Sequence, residues 1–223
     1  MHYKVFLIII VCFLIYTIIP TLYNRFSNPK IIKTIKSNSI YLTFDDGPDS
    51  NYTEPLLDIL KSNNIKATFF LVAIKASKNG DIVKRILNEG HSIGLHSYNH
   101  KNSWLMTPNQ TKDDFQKSLD TLNAFTYPVS FYRPPWGMFN LFTNHYAKTH
   151  NLKTILWTRS FKDWNEKTPV DYIVNKTINN IRPGDILLFH DSGGDKYAPK
   201  NTLLALDILI PTLLEKGYTF DKI

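Results

Sequence analysis

Two adjacent carboxylates, Asp45 and Asp46, followed at once by Gly47-Pro48, are the first residues in this chain whose types and spacing could do chemistry. Neighbouring side chains on a strand point to opposite faces, but a Gly-Pro turn straight after them can bring both carboxylates to one rim. One could then bind a cation while the other acts as a base. The same four residues would also suit a plain turn with two solvated acids. His96 and His100, in the run His96-Ser97-Tyr98-Asn99-His100, form the second group. Residues four apart share a face of a helical turn, so both imidazoles could meet one metal ion. Two imidazoles and one carboxylate leave a position of a zinc centre open for water, the arrangement of a catalytic site.

Three further segments carry reactive types. In Phe131-Tyr132-Arg133-Pro134-Pro135-Trp136-Gly137, the two prolines fix the backbone and remove their own donors. The N–H of Trp136 becomes the first one free to face a ligand. Asp163-Trp164 is the fourth segment, and Leu187-Leu188-Phe189-His190-Asp191 the fifth. There an apolar strand delivers His190 at its C-terminal end, a position suited to proton transfer. His91, His145 and His150 belong to no cluster of ligand types and read as structural or surface residues.

These residues need elements to hold them. Strand-like runs are Ile40 to Phe44, Ala67 to Val72, Ser92 to Leu95, Val129 to Tyr132, Thr154 to Thr158, Asp185 to Phe189 and Tyr218 to Phe220. Between them, Leu56, Leu57 and Leu60, then Ile82, Val83, Ile86 and Leu87, fall at helical spacing. Gly90 and Gly217 end helical patterns just before strands, where a left-handed cap is expected. Strands separated by segments of crossover length imply a parallel α/β architecture, open sheet or barrel. Asp45, His96, Arg133 and His190 each come directly after one of these strands.

Ahead of this domain, Val5 to Tyr23 runs 19 residues without a charge. As a helix it would be about 28 Å long, nearly the thickness of a hydrocarbon core. No small-residue cleavage site follows, so residues 1–23 read as an uncleaved membrane anchor, 24–38 as a short polar tether, and 39–223 as one catalytic domain. The formal net charge of +7 could suggest a nucleic-acid partner, but its location argues otherwise. Lys4, Arg25, Lys30, Lys33 and Lys36 precede residue 39 with no acid among them, and the domain beyond is nearly neutral. A basic cluster beside an apolar helix suits a membrane surface. The weight of these cations after the helix would by itself keep the domain in the cytoplasm. The chemistry points the other way. The only cysteine, Cys12, lies inside the apolar run, which leaves the domain without disulfides.

Taken together and in this order, the five segments resemble the polysaccharide deacetylase family, the NodB-homology or carbohydrate esterase family 4 domain. The likeness runs from about Ile40 to the C-terminus and rests above all on Thr43-Phe44-Asp45-Asp46-Gly47-Pro48 and His96-Ser97-Tyr98-Asn99-His100. The resemblance implies a distorted (β/α) barrel of about seven strands, preceded here by one transmembrane helix. It implies Asp45 as catalytic base, Asp46, His96 and His100 as ligands of a divalent metal, Zn²⁺ first, and Arg133 orienting the base. It further implies that Trp136 lends its N–H to the oxyanion, that His190 is the general acid tuned by Asp163, and that Leu188 lines the acetyl pocket. Trp136 stands where the family usually has tyrosine, and Ser160 where a further aspartate is often found. The expected activity is removal of N-acetyl groups from a polysaccharide outside the cell, peptidoglycan N-acetylglucosamine first, with chitin-like, exopolysaccharide and lipid-linked glycans as alternatives. Hydrolysis of a non-sugar amide or ester, and a catalytically silent carbohydrate-binding module, are the rival readings.

Overall fold

A computed structural model describes residues 2–223; Met1, the first residue of the expected anchor, lies outside the described residues. Eight strands form one all-parallel sheet: β1 (Ser39–Asp45), β2 (Thr68–Leu71), β3 (Ser92–Leu95), β4 (Phe131–Tyr132), β5 (Lys153–Thr154), β6 (Arg159–Ser160), β7 (Ile186–His190) and β8 (Thr219–Asp221). Their order is β5-β4-β3-β2-β1-β7-β6, with β8 pairing beside the first residues of β1. The result is an incomplete barrel, as the family resemblance implies. Each of the seven expected runs overlaps a strand, although Thr154 to Thr158 does so at Thr154 alone, because β5 is Lys153–Thr154. The strand β6 was not expected, because two residues with one charged side chain give no periodic signal.

Period-2 alternation sorts the strands into two faces. Ile40, Leu42 and Phe44 of β1, Phe69 and Leu71 of β2, and Leu187 and Phe189 of β7 pack into the main core with the helices. Tyr41, Phe70 and Ile186, one residue out of phase, pack into a smaller cluster on the other side. Asp45, His96, Leu188 and His190 share the phase of this second face. The register pairs Thr43 with Leu188 and Asp45 with His190. A side chain on Gly94 would collide with the Phe70 ring, so the glycine makes room for an aromatic filler inside the barrel. The caps form as expected: Gly90 and Gly217 both have φ of +83°, and the next amides reach back to the Ile86 and Leu213 carbonyls.

Two features lie outside the expected layout. Residues 31–35, within the stretch read as a tether, are hydrogen-bonded to the domain. Ile32 bridges in parallel to Ile155 and Thr34 antiparallel to Asp185, so this segment joins the β5 side of the sheet to the start of β7. The apolar helix, Tyr3–Ser27, is also docked along its C-terminal half. Thr17, Pro20, Thr21 and Asn24 form a buried stripe at helical spacing. Thr21 Oγ1 donates to the Phe139 carbonyl at 2.9 Å and accepts from the Phe139 N–H at 2.9 Å and from Trp104 Nε1 at 3.0 Å. Pro20 has no N–H for the Tyr16 carbonyl four residues back, and the Leu141 amide takes that acceptor at 2.9 Å. Two π-helical turns, Leu14–Ile18 and Tyr23–Ser27, flank this contact.

Candidate active site

At the end of β1 the backbone of Asp46 turns to φ of +75°, which breaks strand alternation and swings its carboxylate into the cavity that Asp45 faces. The Gly47-Pro48 peptide that follows is cis. Lys75 Nζ fixes the turn by donating to the Asp46 carbonyl at 2.9 Å and to Ser192 Oγ at 2.8 Å. Gly193 passes so close that a Cβ there would strike the Asp46 carboxylate.

His96 Nε2 and His100 Nε2 lie 3.3 and 2.9 Å from Asp46 Oδ1. The two imidazoles meet through a loop and not the helical turn their spacing suggested: Ser97 and His100 have φ of +68° and +56°. Ser97 Oγ accepts the His100 N–H at 2.8 Å, closing that loop. His96 Nδ1 lies 2.7 Å from the Arg133 carbonyl. A carbonyl only accepts, so Nδ1 carries a proton, which leaves Nε2 as the ring atom available to a metal ion. These three residues are the one group among those described whose donor atoms lie close enough to hold a metal ion. Asp46 Oδ1, buried between the two imidazoles, has no hydrogen-bond partner of its own, as a ligand atom would. Two imidazoles and one carboxylate fit a divalent ion of the zinc type. Although burial opposes it, His100 and His96 hold the Asp46 carboxyl well below the usual carboxylate range.

Arg133 is wholly buried beneath this cluster. Its Nη1 donates to Asp45 Oδ1 at 2.6 Å and to Thr43 Oγ1 at 2.8 Å, and its guanidinium lies 4.0 Å over the Phe70 ring. A buried cation needs both a charge partner and donors satisfied. Asp45 supplies the first, and the Ile155 and Leu156 carbonyls complete the second. Trp136 sits at φ of +55° in the turn after the prolines, with no acceptor for its N–H among the described residues and its ring 4.3 Å from that of His100. Four non-glycine residues of the site thus hold left-handed backbone, a concentration of strain typical of functional loops.

On the β7 side, His190 Nδ1 lies 3.1 Å from Asp163 Oδ1, and the His190 N–H donates to Asp163 Oδ2 at 2.7 Å. Thr202 adds a third bond to Asp163 at 3.1 Å. Burial alone would lower the imidazole pKa, but the charge and hydrogen bond of Asp163 outweigh it and raise His190 to about 9. Leu188, Trp136 and Ser160 line a cavity of about 500 Å³ with the three metal-ligand candidates, Asp45 and His190. Asp163 stands behind His190 and does not line it.

Several residues here escaped sequence reasoning. Arg25, from the N-terminal helix, lines the same cavity, stacked 5.4 Å over Trp157 and 3.4 Å from the Trp136 carbonyl. Its position before the domain reads as membrane-adjacent charge, and no sequence signal links it to the site. Asp114 accepts the Tyr98 N–H at 3.1 Å and so tethers the histidine loop; burial pushes it up to about 6 despite that bond. Asp191 is raised to about 7 by burial, with Asp46 adding to the effect, and accepts from Thr53 at 2.6 Å. Asp191 follows His190 directly, but its inward turn depends on the loop.

The family model described as polysaccharide deacetylase matches residues 33–155. Over 182 residues the chain is 38% identical to a peptidoglycan-N-acetylglucosamine deacetylase of Bacillus cereus, covering 81% of this chain and 65% of that one. It is 34% identical over 196 residues to a peptidoglycan-N-acetylmuramic acid deacetylase of Bacillus subtilis, covering 84% of this chain and 71% of the relative. The crystal structure of a peptidoglycan N-acetylglucosamine deacetylase in complex with 4-naphthalen-1-yl-N-oxidanyl-benzamide superposes with a TM-score of 0.81 at 35% identity, covering 86% of this chain and 90% of that one. The sheet, the paired acids and histidines, and these likenesses agree: the chain belongs to the polysaccharide deacetylase family, a family of enzymes.

Proposed function

We propose that this protein removes N-acetyl groups from peptidoglycan, with N-acetylglucosamine as the first candidate sugar. The observation that carries the reading is the pairing of Asp45, braced by Arg133, with His190, held by Asp163, beside the Asp46, His96 and His100 cluster. A divalent ion held by those three residues, Zn²⁺ by the chemistry of the donors, supplies Lewis-acid polarisation of the acetamide carbonyl and lowers the pKa of water. Asp45 takes the proton of the attacking water as its oxygen bonds the acetyl carbon. The Trp136 N–H donates to the oxyanion. His190, protonated at neutral pH, gives its proton to the nitrogen as the C–N bond breaks, because an amide anion is a poor leaving group. Acetate and a free amino sugar result. Leu188 lines the pocket for the acetyl methyl.

The apolar run from Val5 to Tyr23 is proposed as an anchor, with the domain outside the cell where peptidoglycan lies. The deciding experiment is acetate release by the full-length chain in detergent micelles, on N-acetylated peptidoglycan strands, chitin-like oligomers and simple acetamides. Release from peptidoglycan above the other glycans supports the reading. Release only from non-sugar acetamides, or none with metal supplied, overturns it.

A further inference from the structure

We propose that the loops around Leu105 and Leu141 are immersed in the lipid leaflet on the domain's side, so that the catalytic cavity opens at the level of the lipid headgroups. The inference rests on the membrane-anchor reading above and on a conflict of lengths. The helix stands clear of the domain only as far as Cys12: the Phe13 ring meets that of Trp104 edge-on at 6.2 Å, and from Tyr16 onward the helix is hydrogen-bonded to the domain. The free apolar stretch from Val5 to Cys12 is 8 residues, or about 12 Å at ~1.5 Å per residue. A hydrocarbon core is ~30 Å thick. A domain held clear of the bilayer would leave more than half of that thickness unspanned, a mismatch that bilayers resist.

The full uncharged run to Tyr23 does span it, and the docked part of the domain is then drawn in. Along the axis, Tyr16 lies about 10 Å below Tyr23. The groups that Tyr16 contacts, the Met106 carbonyl at 2.7 Å and the Leu141 amide at 2.9 Å, share its depth. The chemistry of these loops matches that depth. Ser103-Trp104-Leu105-Met106 and Met138-Phe139-Asn140-Leu141-Phe142 contain no charged residue. Leu105 is 72% and Leu141 54% exposed, whereas the polar members turn inward and are satisfied. Asn140 Nδ2 donates to the Ser103 carbonyl and to Thr111, both at 2.8 Å, and its Oδ1 accepts from the Phe142 amide. With their polar side chains satisfied inside, the loops turn bare leucines outward, as segments sunk ~5–10 Å into the headgroup and acyl boundary do. Arg25 follows Tyr23 by two residues, about 3 Å along the axis, and its side chain lines the catalytic cavity, which places one wall of the cavity within a side-chain length of the end of the apolar run. Substrate would thus be taken from glycan lying against the membrane.

The test uses the full chain, one per lipid nanodisc, with Cys12→Ser and a single nitroxide at Leu105→Cys, Leu141→Cys, Ile9→Cys or Leu204→Cys. Ile9 is the reference within the membrane helix and Leu204 the reference exposed on the helix Ala198–Glu215. Labels at 105 and 141 are expected to favour collision with oxygen over a water-soluble nickel chelate, as at position 9 and opposite to 204. Labels at 105 and 141 as accessible to nickel as 204, while 9 stays shielded, would overturn the immersion and leave the anchor standing. Nickel access at position 9 would overturn both. Shielding that appears only in discs holding two chains would identify a second copy as the cover and defeat the lipid proposal.

Discussion

Asp45 and Asp46 are adjacent in sequence yet differ in every partner, and that difference separates their expected roles. Asp45 accepts from a buried arginine, whereas Asp46 faces the Nε2 atoms of two imidazoles. Asp45→Asn is expected to keep stoichiometric metal and lose roughly 10²- to 10⁴-fold in turnover, because an amide cannot accept the proton. Asp46→Asn, like His96→Ala and His100→Ala, is expected to lose most of the metal, since each removes one of three ligands. Metal content after dialysis and acetate release separate the two classes; metal loss in Asp45→Asn alone would reverse the roles. His190 gives a pH signature. Asp163 raises its pKa from 6.5 to about 9, so the protonated form persists through neutral pH and is lost as pH rises through about 9. Asp163→Asn removes the main raising influence and leaves burial, which lowers the value. The alkaline limb of the pH–rate profile should therefore move to lower pH, and an unmoved limb would show that another group sets it.

At the scale of elements, the docked N-terminal helix is the feature with the clearest energetic test. One hydroxyl, Thr21, satisfies the Phe139 amide and Trp104 Nε1 and itself donates to a carbonyl. Thr21→Val keeps the shape and strands the buried Phe139 amide, at about 1–3 kcal/mol, and the half-buried Trp104 Nε1, at less. For a chain of this size, each kcal/mol corresponds to roughly 2–4 °C in Tm, so a fall of several degrees in detergent is expected. An unchanged Tm would mean that the helix does not hold this contact in solution. The histidine loop is held in a similar way by local bonds, from Ser97 within it and from Asp114 outside it.

For the whole molecule, the open question of orientation has a direct measurement. The cations from Arg25 to Lys36 favour retention in the cytoplasm, whereas a cell-wall substrate requires the domain outside. Protease added to intact cells is expected to digest the domain. Protection until lysis would show that these charges set the topology. The structure also shows where part of this basic segment goes: residues 31–35 are hydrogen-bonded across the sheet, so the chain from helix to β1 is an integral part of the domain's frame.

The sequence by itself determined most of the strands and the identity of the reactive groups. Strands announce themselves by apolar runs with period 2, and Asp45, His96 and His190 follow strand ends whose phase already sets which way they point. The family motifs carry the residue types, because metal binding and proton transfer permit few substitutions. Tertiary structure alone decided how these groups meet. The left-handed turns at Asp46, Ser97 and His100 occur at residues other than glycine, where local preference for such backbone is weak even for Asp and His; they persist because Lys75, Asp114 and the β7 loop hold the chain there. The placement of Arg25 beside Trp136 joins residues 111 positions apart, and the pairing of residues 31–35 with Ile155 and Asp185 joins segments more than 100 apart. Such contacts depend on the shape of the closed surface, which periodicity and composition do not carry.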